Sequence, residues 1–294
     1  MPLSPLERIA KVMVEEGLVK HYYLQPKYRA FLALWSGYYG YIPAILFNML
    51  TVMIYILISY VTMGSYATII WQISITAHFY LIIYFLYNLG WKLMPKRDIY
   101  LLVVALSEFF SIAYLSIHLA CTLLTFILPE KVVKIIFSEQ LRIVKQHIIQ
   151  AHYTTPTAYL TAIFINNLKL GLKCFLAGII LGYPGGIIVT LQTSIAGVLF
   201  AYSIKETLNT PYLLNAIITW LTYPFLEILA YYYFTWAGCH LFLSVIAKEE
   251  DIERHLKLLL TYTALALYAL FLSTLVETYL TISGLTYYPQ IIKQ

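Results

Sequence analysis

The sequence predicts an all-α fold, a polytopic transmembrane bundle of about seven spans with amphipathic helices at the membrane interface. Of the 294 residues, 61% are hydrophobic and only 11% are charged, whereas a soluble domain carries about 25% charged residues. Several apolar runs reach the roughly 20 residues that a helical span needs, which favours helices over a β-barrel, whose strands alternate only weakly. The formal charge of +5 is typical of basic cytoplasmic loops, and no basic surface domain indicates nucleic-acid binding.

Residues 1–42 predict a cytoplasmic amphipathic segment ahead of the first span. Ser4 is placed to cap a helix that has Pro5 in its first turn. Apolar and charged residues then alternate so that the helix has one polar face and one apolar face. The apolar face consists of Leu6, Ile9, Ala10, Met13 and Val14. Two interpretations fit this pattern: a helix that lies on the membrane surface, or a solvated helix that packs on the bundle.

Residues 43–128 predict three leading spans. Gly64-Ser65 gives a tight turn after the first span, and Pro95 interrupts any helix in the basic loop after the second. Glu108 lies inside the third span. The predicted spans are near Pro43–Met63, Tyr66–Gly90 and Ile99–Leu128.

Residues 129–153 predict an amphipathic helix at the interface rather than another span. One stripe of this helix is apolar and the other is polar and mainly basic. The apolar stripe consists of Val132, Val133, Ile136, Phe137, Leu141, Val144 and Ile148, and the other of Lys131, Lys134, Ser138, Arg142 and Lys145.

Residues 154–294 predict four further spans. Thr155-Pro156 starts the fourth span, and a Tyr-Pro-Gly-Gly turn at 183–186 follows it. Pro224 interrupts a later run that is too long for one upright span, and residues 248–257 form a charged loop or a helix start. The predicted elements are the fourth span around Ile163–Gly182, the fifth near Ile187–Ile204, a short helix up to Thr222 followed by the sixth span, and the seventh near Leu258–Ile282.

Lysine and arginine residues indicate the orientation in the membrane. The N-terminal segment is basic, and a cytoplasmic N-terminus puts the basic segments at 91–98 and 248–257 on the cytoplasmic side as well. The same orientation puts the basic helix at 129–153 outside, against the rule. Because two loops and the N-terminus agree, we predict a multi-pass protein of the cell membrane with its N-terminus in the cytoplasm.

The fourth span carries unusually many polar groups for a helix in lipid. Asn166 and Asn167 are followed by Lys169 and, one turn later, Lys173. A lysine at the centre of a span costs roughly 2.5–3.5 kcal/mol on insertion scales. The same helix has small residues that permit close helix packing, namely Gly171, Gly178 and Gly182.

The sixth and seventh spans each contain one carboxylate, Glu227 and Glu277. Because like charges one turn apart repel, we expect these carboxylates to face the fourth span and to pair with Lys169 or Lys173, or to bond the adjacent asparagines. Three interpretations of such a polar membrane core stay open: polar pairs that lock helices together, an ion or proton path, or lysines that extend to the interface.

Other chemistries find little support. No HExxH, GxSxG, Walker or dinucleotide motif occurs, so we expect a non-enzymatic protein without a cofactor or metal. A retinal protein is not supported, because Lys257 lies at the edge of the last helix. The cysteines lie inside apolar runs, where small buried residues are the usual case, and the histidines in spans fit core positions better than a pair of haem ligands. These residues are Cys121, Cys174 and Cys239, and His78, His118 and His240.

Three blocks in the second half of the chain carry a family resemblance. The first is an aromatic residue, an Asn-Asn pair and a glycine-containing helix: Phe164, Asn166, Asn167, Phe175, Gly178 and Gly182. The second is a glutamate followed by small residues: Glu227, Ala230, Ala237 and Gly238. The third is a glutamate near the end of the last helix: Val276-Glu277-Thr278-Tyr279-Leu280-Thr281.

In order and spacing these blocks resemble the stage II sporulation protein M family over roughly residues 155–282. The chain departs from the family pattern at Tyr223-Pro224, where His-Gly is usual, and at Gln192-Thr193, where Asn-Gly is usual. Its two leading spans, at 43–90, go beyond the usual core. It is therefore expected to be a divergent, non-sporulation member.

The resemblance implies a membrane scaffold, since the member in sporulating bacteria recruits peptidoglycan-degrading partners to the septal membrane. We therefore expect a subunit of a membrane complex, with the lipid bilayer, other membrane proteins and a second copy of the chain as candidate partners. The alternative is a permease-like transport subunit that uses the buried Glu, Lys and Asn residues. The abundance of isoleucine and tyrosine is typical of a thermophilic source.

Overall fold

The computed structural model describes residues 4–17, 26–93, 99–148, 155–181 and 185–285. These residues form an all-α bundle, as predicted, and contain seven helical segments long and apolar enough to cross a membrane. The multi-pass helical architecture is therefore confirmed.

Twelve α-helices occur in the described parts of the chain, and a π-helical turn, Met13–Gly17, follows the first. They are α1 (Pro5–Val12), α2 (Pro26–Ser36), α3 (Tyr41–Met63), α4 (Ala67–Leu93), α5 (Tyr100–Ile127), α6 (Glu130–Ile136), α7 (Ser138–Ile148), α8 (Pro156–Leu181), α9 (Gly185–Thr207), α10 (Leu213–Leu221), α11 (Tyr223–Ile246) and α12 (Glu249–Ile282).

Three details refine the predicted elements. The amphipathic region breaks at Phe137, which has non-helical dihedral angles, so it forms α6 and α7 instead of one helix. The charged segment that begins at Lys248 is a helix start, because α12 runs without interruption from Glu249. The break before the sixth span lies at Thr222, beside Pro224 in the first turn of α11. The side chains of residues 144–148 and the turn at 182–184 lie outside the described parts.

Helix α1 is held by an N-terminal capping box. The Ser4 hydroxyl accepts the Glu7 amide, and the Glu7 carboxylate accepts the Ser4 amide at 2.7 Å. Its apolar face is buried: Leu6, Ile9 and Met13 are 0% exposed. The helix thus packs on the bundle, chiefly against α5.

Contacts between distant elements show which connections share an end of the bundle. The Arg254 guanidinium at the start of α12 lies 3.7 Å from the ring centroid of Trp91 near the end of α4 and donates to the Trp91 carbonyl at 3.2 Å. Helix α1 is at this end as well, because Ile9 lies against Gly90.

Helix α6 lies at the opposite end of the bundle. The Thr68 hydroxyl at the start of α4 donates to the Ile136 carbonyl at 2.7 Å. Helix α1, the end of α4 and the start of α12 therefore lie at one end of the bundle, and α6 lies at the other.

The second half of the chain is centred on α11. Helix α11 packs along both α12 and α8, while α5 packs against α3 and α9. Tyr231 and Tyr232 of α11 are fully buried, and the Tyr232 hydroxyl donates to the Leu106 carbonyl of α5 at 3.0 Å. This hydrogen bond ties the two halves of the bundle together.

Candidate functional site

Helices α8 and α11 approach so closely that their backbones touch. A Cβ atom built on Gly178 would lie 3.2 Å from the Cα of Gly238, and one built on Gly171 would lie 2.5 Å from the Phe234 ring. Cys174, between the two glycines on the same face, is 0% exposed. Small residues at i, i+3 and i+7 let helices approach in this way. Gly182, the remaining predicted packing residue, lies outside the described part.

The two carboxylates come together at the junction of α8, α11 and α12. The Tyr231 hydroxyl, which belongs to a fully buried side chain, donates to Glu227 Oε1 at 2.5 Å. Glu277 of α12 interacts electrostatically with Glu227 and Tyr231, and Cys174 of α8 is close enough to interact with the same tyrosine. Both carboxylates are partly buried. Glu227, Glu277 and Tyr231 therefore belong to one interacting group, which we call the carboxylate cluster.

The ends of the three helices are fixed around this cluster by further hydrogen bonds. The Ser273 hydroxyl of α12 donates to the Tyr223 carbonyl at the start of α11 at 3.0 Å. The hydroxyls of Tyr159 on α8 and Thr281 on α12 are 3.4 Å apart. The cluster consequently lies toward the end of the bundle opposite α1.

The lysines of α8 do not join the carboxylates. Lys169 and Lys173 are exposed, as is Asn166, while Asn167 is 7% exposed and faces inward. Neither lysine forms an ion pair with any residue in the described part of the chain. The predicted polar core is thus divided: the two glutamates and Asn167 lie inside, and three polar residues lie on the outer surface of α8.

The third carboxylate inside a span has a structural role that the sequence did not reveal. Glu108 Oε2 of α5 accepts the backbone amide of Leu6 at 3.0 Å and the Ser4 hydroxyl at 3.3 Å. It therefore caps the N-terminus of α1, where amides lack intrahelical partners. Ser4 and Pro5 predict the start of the helix, but no local signal identifies a cap supplied from 102 residues away.

The histidines pack in separate places. His78 Nε2 lies 3.3 Å from Asn48 Oδ1, while His118 stacks on Tyr114 with centroids 5.5 Å apart. The two rings pack against different aromatic residues.

A histidine pair occurs at the end of the bundle near α1. His240 Nδ1 and His255 Nδ1 are 3.1 Å apart, and His255 stacks on Trp91 with centroids 4.4 Å apart. Sequence reasoning missed His255 because it lies in the charged segment. The signal was its position, six residues after the start of α12, opposite a histidine six residues before the end of α11.

No metal-ligand cluster is found where the structure describes the chain, in the sense of three or more His, Cys, Asp or Glu side chains in one place. The three cysteines are buried and form no disulfide. The site is therefore described by two features, the internal carboxylate cluster and the exposed polar face of α8.

A comparison with protein families supports the resemblance. The model described as Stage II sporulation protein M matches residues 99–282, so the resemblance carried by the three sequence blocks is confirmed. The match begins ahead of those blocks and takes in α5, α6 and α7 as well. Searches of curated proteins and of solved structures gave no match.

Proposed function

This chain belongs to the stage II sporulation protein M family, and we propose that it is a non-enzymatic subunit of a membrane complex, a scaffold whose bundle holds partner proteins. The observation that carries this proposal is that the polar side chains of the α8, α11 and α12 spans fall into two sets, one inside the bundle and one on its outer surface. The carboxylates engage the chain's own helices, whereas α8 presents polar side chains on its outer surface.

The internal groups support a holding role. The Tyr231–Glu227 hydrogen bond joins two turns of α11, and the glycine contacts press α8 onto α11. Polar groups inside a membrane bundle that find partners within the bundle stabilise helix association. They give the scaffold a defined shape.

The outer surface supports association with other proteins. Helix α8 has the smallest buried share of the seven candidate spans found in the described residues, 22%. Its exposed side carries Asn166, Lys169 and Lys173, which are costly against lipid. A protein partner in the membrane would remove this cost, which is why we place the partner surface on α8.

Photo-crosslinking in native membranes tests the proposal. A photoreactive amino acid replaces Leu176 on α8, which is 56% exposed, or, as a matched control, Ile54 on α3, which is 55% exposed. We expect Leu176 to give discrete crosslinks to another membrane protein and Ile54 to crosslink mainly to lipid. Crosslinks to lipid alone at both positions would contradict a scaffold role.

A second candidate function, that of a transport subunit, is favoured by the carboxylate cluster. Glu227 and Glu277 come from two helices, interact electrostatically and are both partly exposed. Carboxylates inside spans often mark proton paths. Proton flux in proteoliposomes that falls in Glu277→Gln, but not in Glu249→Gln at the exposed start of α12, would support transport. Flux equal to that of empty liposomes would contradict it.

A further inference from the structure

We propose that the outer face of α8 docks a transmembrane helix of another protein that carries two carboxylates one helical turn apart. This inference rests on the proposed scaffold function and names the chemistry of the partner. The cationic face, as we call it, consists of Asn166, Lys169 and Lys173 and is flanked by three exposed apolar side chains: Ile165, Leu172 and Leu176.

The depth of the lysines in the membrane is the first argument. Lys169 lies thirteen residues after Pro156 and twelve before Leu181, so it is about 20 Å and 18 Å from the two ends of α8. The hydrocarbon core extends only about 15 Å to either side of its centre. Gly171 also contacts Phe234, in the middle of the 24-residue α11. Lys169 is therefore placed at the level of the lipid chains.

The direction of the lysines is the second argument. Asn166, Lys169 and Lys173 are spaced i, i+3 and i+7 and share one face of α8. The packing face of α8 consists of Gly171, Cys174 and Gly178 and has the same spacing. Each of its residues follows one of the cationic face by five positions, which is a rotation of about 140° around the helix. Because the packing face is pressed against α11, the cationic face is turned away from Glu227 and Glu277.

A second copy of the chain does not offer carboxylates that could pair with the lysines of α8. Helix α8 contains no Asp or Glu, so a two-fold contact between two α8 helices would gather four lysines without a carboxylate. Glu108, Glu227 and Glu277 are engaged within the same copy: Glu108 caps α1, Glu227 accepts a hydrogen bond from Tyr231 on the same helix, and Glu277 interacts electrostatically with Glu227.

Charge and spacing define the partner. Two ammonium groups one turn apart are matched by two carboxylates at i and i+4 on a facing helix. The Asn166 amide supplies an additional donor and acceptor. The three flanking aliphatic side chains suit an otherwise apolar helix, as in a membrane span.

The test uses the full chain in neutral phosphatidylcholine vesicles with labelled transmembrane peptides as probes. Each peptide is a leucine-rich span with two residues four positions apart at its centre, either Glu, Gln or Lys. Association is measured by energy transfer to the labelled protein. We expect the Glu peptide to bind at least about tenfold more tightly than the Gln or Lys peptide.

Variants identify the surface. Lys169→Gln with Lys173→Gln should weaken binding of the Glu peptide by at least about tenfold, and Lys169→Glu with Lys173→Glu should reverse the preference toward the Lys peptide. The matched control, Lys131→Gln with Lys134→Gln, removes two exposed lysines outside the spans and should change nothing. The reversed preference also shows that the variant is folded.

Three outcomes would overturn the inference. Equal binding of all three peptides would show that charge does not matter. Energy transfer between two copies of the chain that depends on the lysines would assign the face to a second copy. Binding that requires added anionic lipid would assign it to headgroups. If the peptides fail while crosslinking still captures a partner at Leu176, the scaffold function stands and this inference alone is lost.

Discussion

Gly178 on α8 and Gly238 on α11 lie against each other, so that a Cβ atom built on Gly238 would be 3.1 Å from the Cα of Gly178. The same Cβ would overlap the Phe175 carbonyl oxygen. The contact sets the distance between the two helices, and Cys174 and Tyr231, which lie on these helices beside the carboxylate cluster, are positioned by it.

The glycine contact predicts a large effect of one methyl group. Gly238→Ala should lower the free energy of unfolding by about 1–3 kcal/mol, because the backbones must separate to admit the Cβ. Thermal unfolding of the protein in detergent, followed by the loss of monodisperse material, measures this change. Leu172→Ala on the exposed side of α8 is the control and should shift stability by less than about 0.5 kcal/mol. Equal stability of Gly238→Ala and wild type would show that the two helices are not in backbone contact.

The sequence predicts the spans well because each has a long apolar run bounded by Pro, Gly or charged residues. It also predicts the stretch at 163–182 as the unusual helix. It does not predict the side on which Lys169 and Lys173 lie, because charged residues in spans are expected to face the interior. Here the interior side of α8 is occupied by the backbone contact around Gly178, which leaves no room for long side chains.

Contacts between distant segments could not be predicted from the sequence, for a different reason. Glu108 and Leu6 are 102 residues apart in the chain, and nothing in either local pattern specifies the other. Such pairings depend on how helices pack, and a single sequence does not contain that information in its periodicity.

The Tyr231 hydroxyl is expected to stabilise the carboxylate cluster. Tyr231→Phe should lower the free energy of unfolding by about 1–3 kcal/mol, because it removes a hydrogen bond to Glu227 from a fully buried side chain. Tyr279→Phe, at a tyrosine that is 66% exposed, should have little effect. A double-mutant cycle with Glu227→Gln measures the coupling energy between the two groups. A coupling energy of zero would show that this hydrogen bond does not contribute to stability.

Glu108 is expected to hold α1 on the bundle. Glu108→Ala should cost about 1–2 kcal/mol of local stability, because the amide of Leu6 and the Ser4 hydroxyl lose their acceptor. Hydrogen exchange of the α1 amides should then become faster, while exchange in α11 should not change. Unchanged protection in α1 would mean that the burial of Leu6, Ile9 and Met13 alone keeps the helix in place.

The ion pairs of α6 and α7 predict a mild dependence on pH outside the spans. The hydrogen bond from Arg142 lowers the pKa of Glu139, and that from Lys134 lowers the pKa of Glu130. A lowered carboxyl pKa stabilises the fold above the ordinary glutamate value and loses this contribution as the pH falls through the lowered value. Exchange of the α7 amides in wild type and in Glu139→Gln should therefore differ at neutral pH and converge in acid. A constant difference across the titration would contradict the role of this pair.

The orientation of the bundle can be determined by cysteine labelling from the two sides of the membrane. Lys248 and Lys131 are both exposed and lie at opposite ends of the bundle. Lys248 directly precedes α12, whose Arg254 contacts Trp91. Lys131 belongs to α6, which accepts the hydrogen bond from Thr68. The native cysteines at 121, 174 and 239 are buried and should react slowly, so single Lys→Cys variants report one position each.

With a cytoplasmic N-terminus, Lys131→Cys should react with a membrane-impermeant maleimide added to intact cells, and Lys248→Cys should react only after the membrane is opened. The reverse pattern would place the basic helices α6 and α7 in the cytoplasm, as the distribution of lysine and arginine in that segment favours, and would invert the whole bundle. Labelling of both positions from one side would contradict the seven-span arrangement itself.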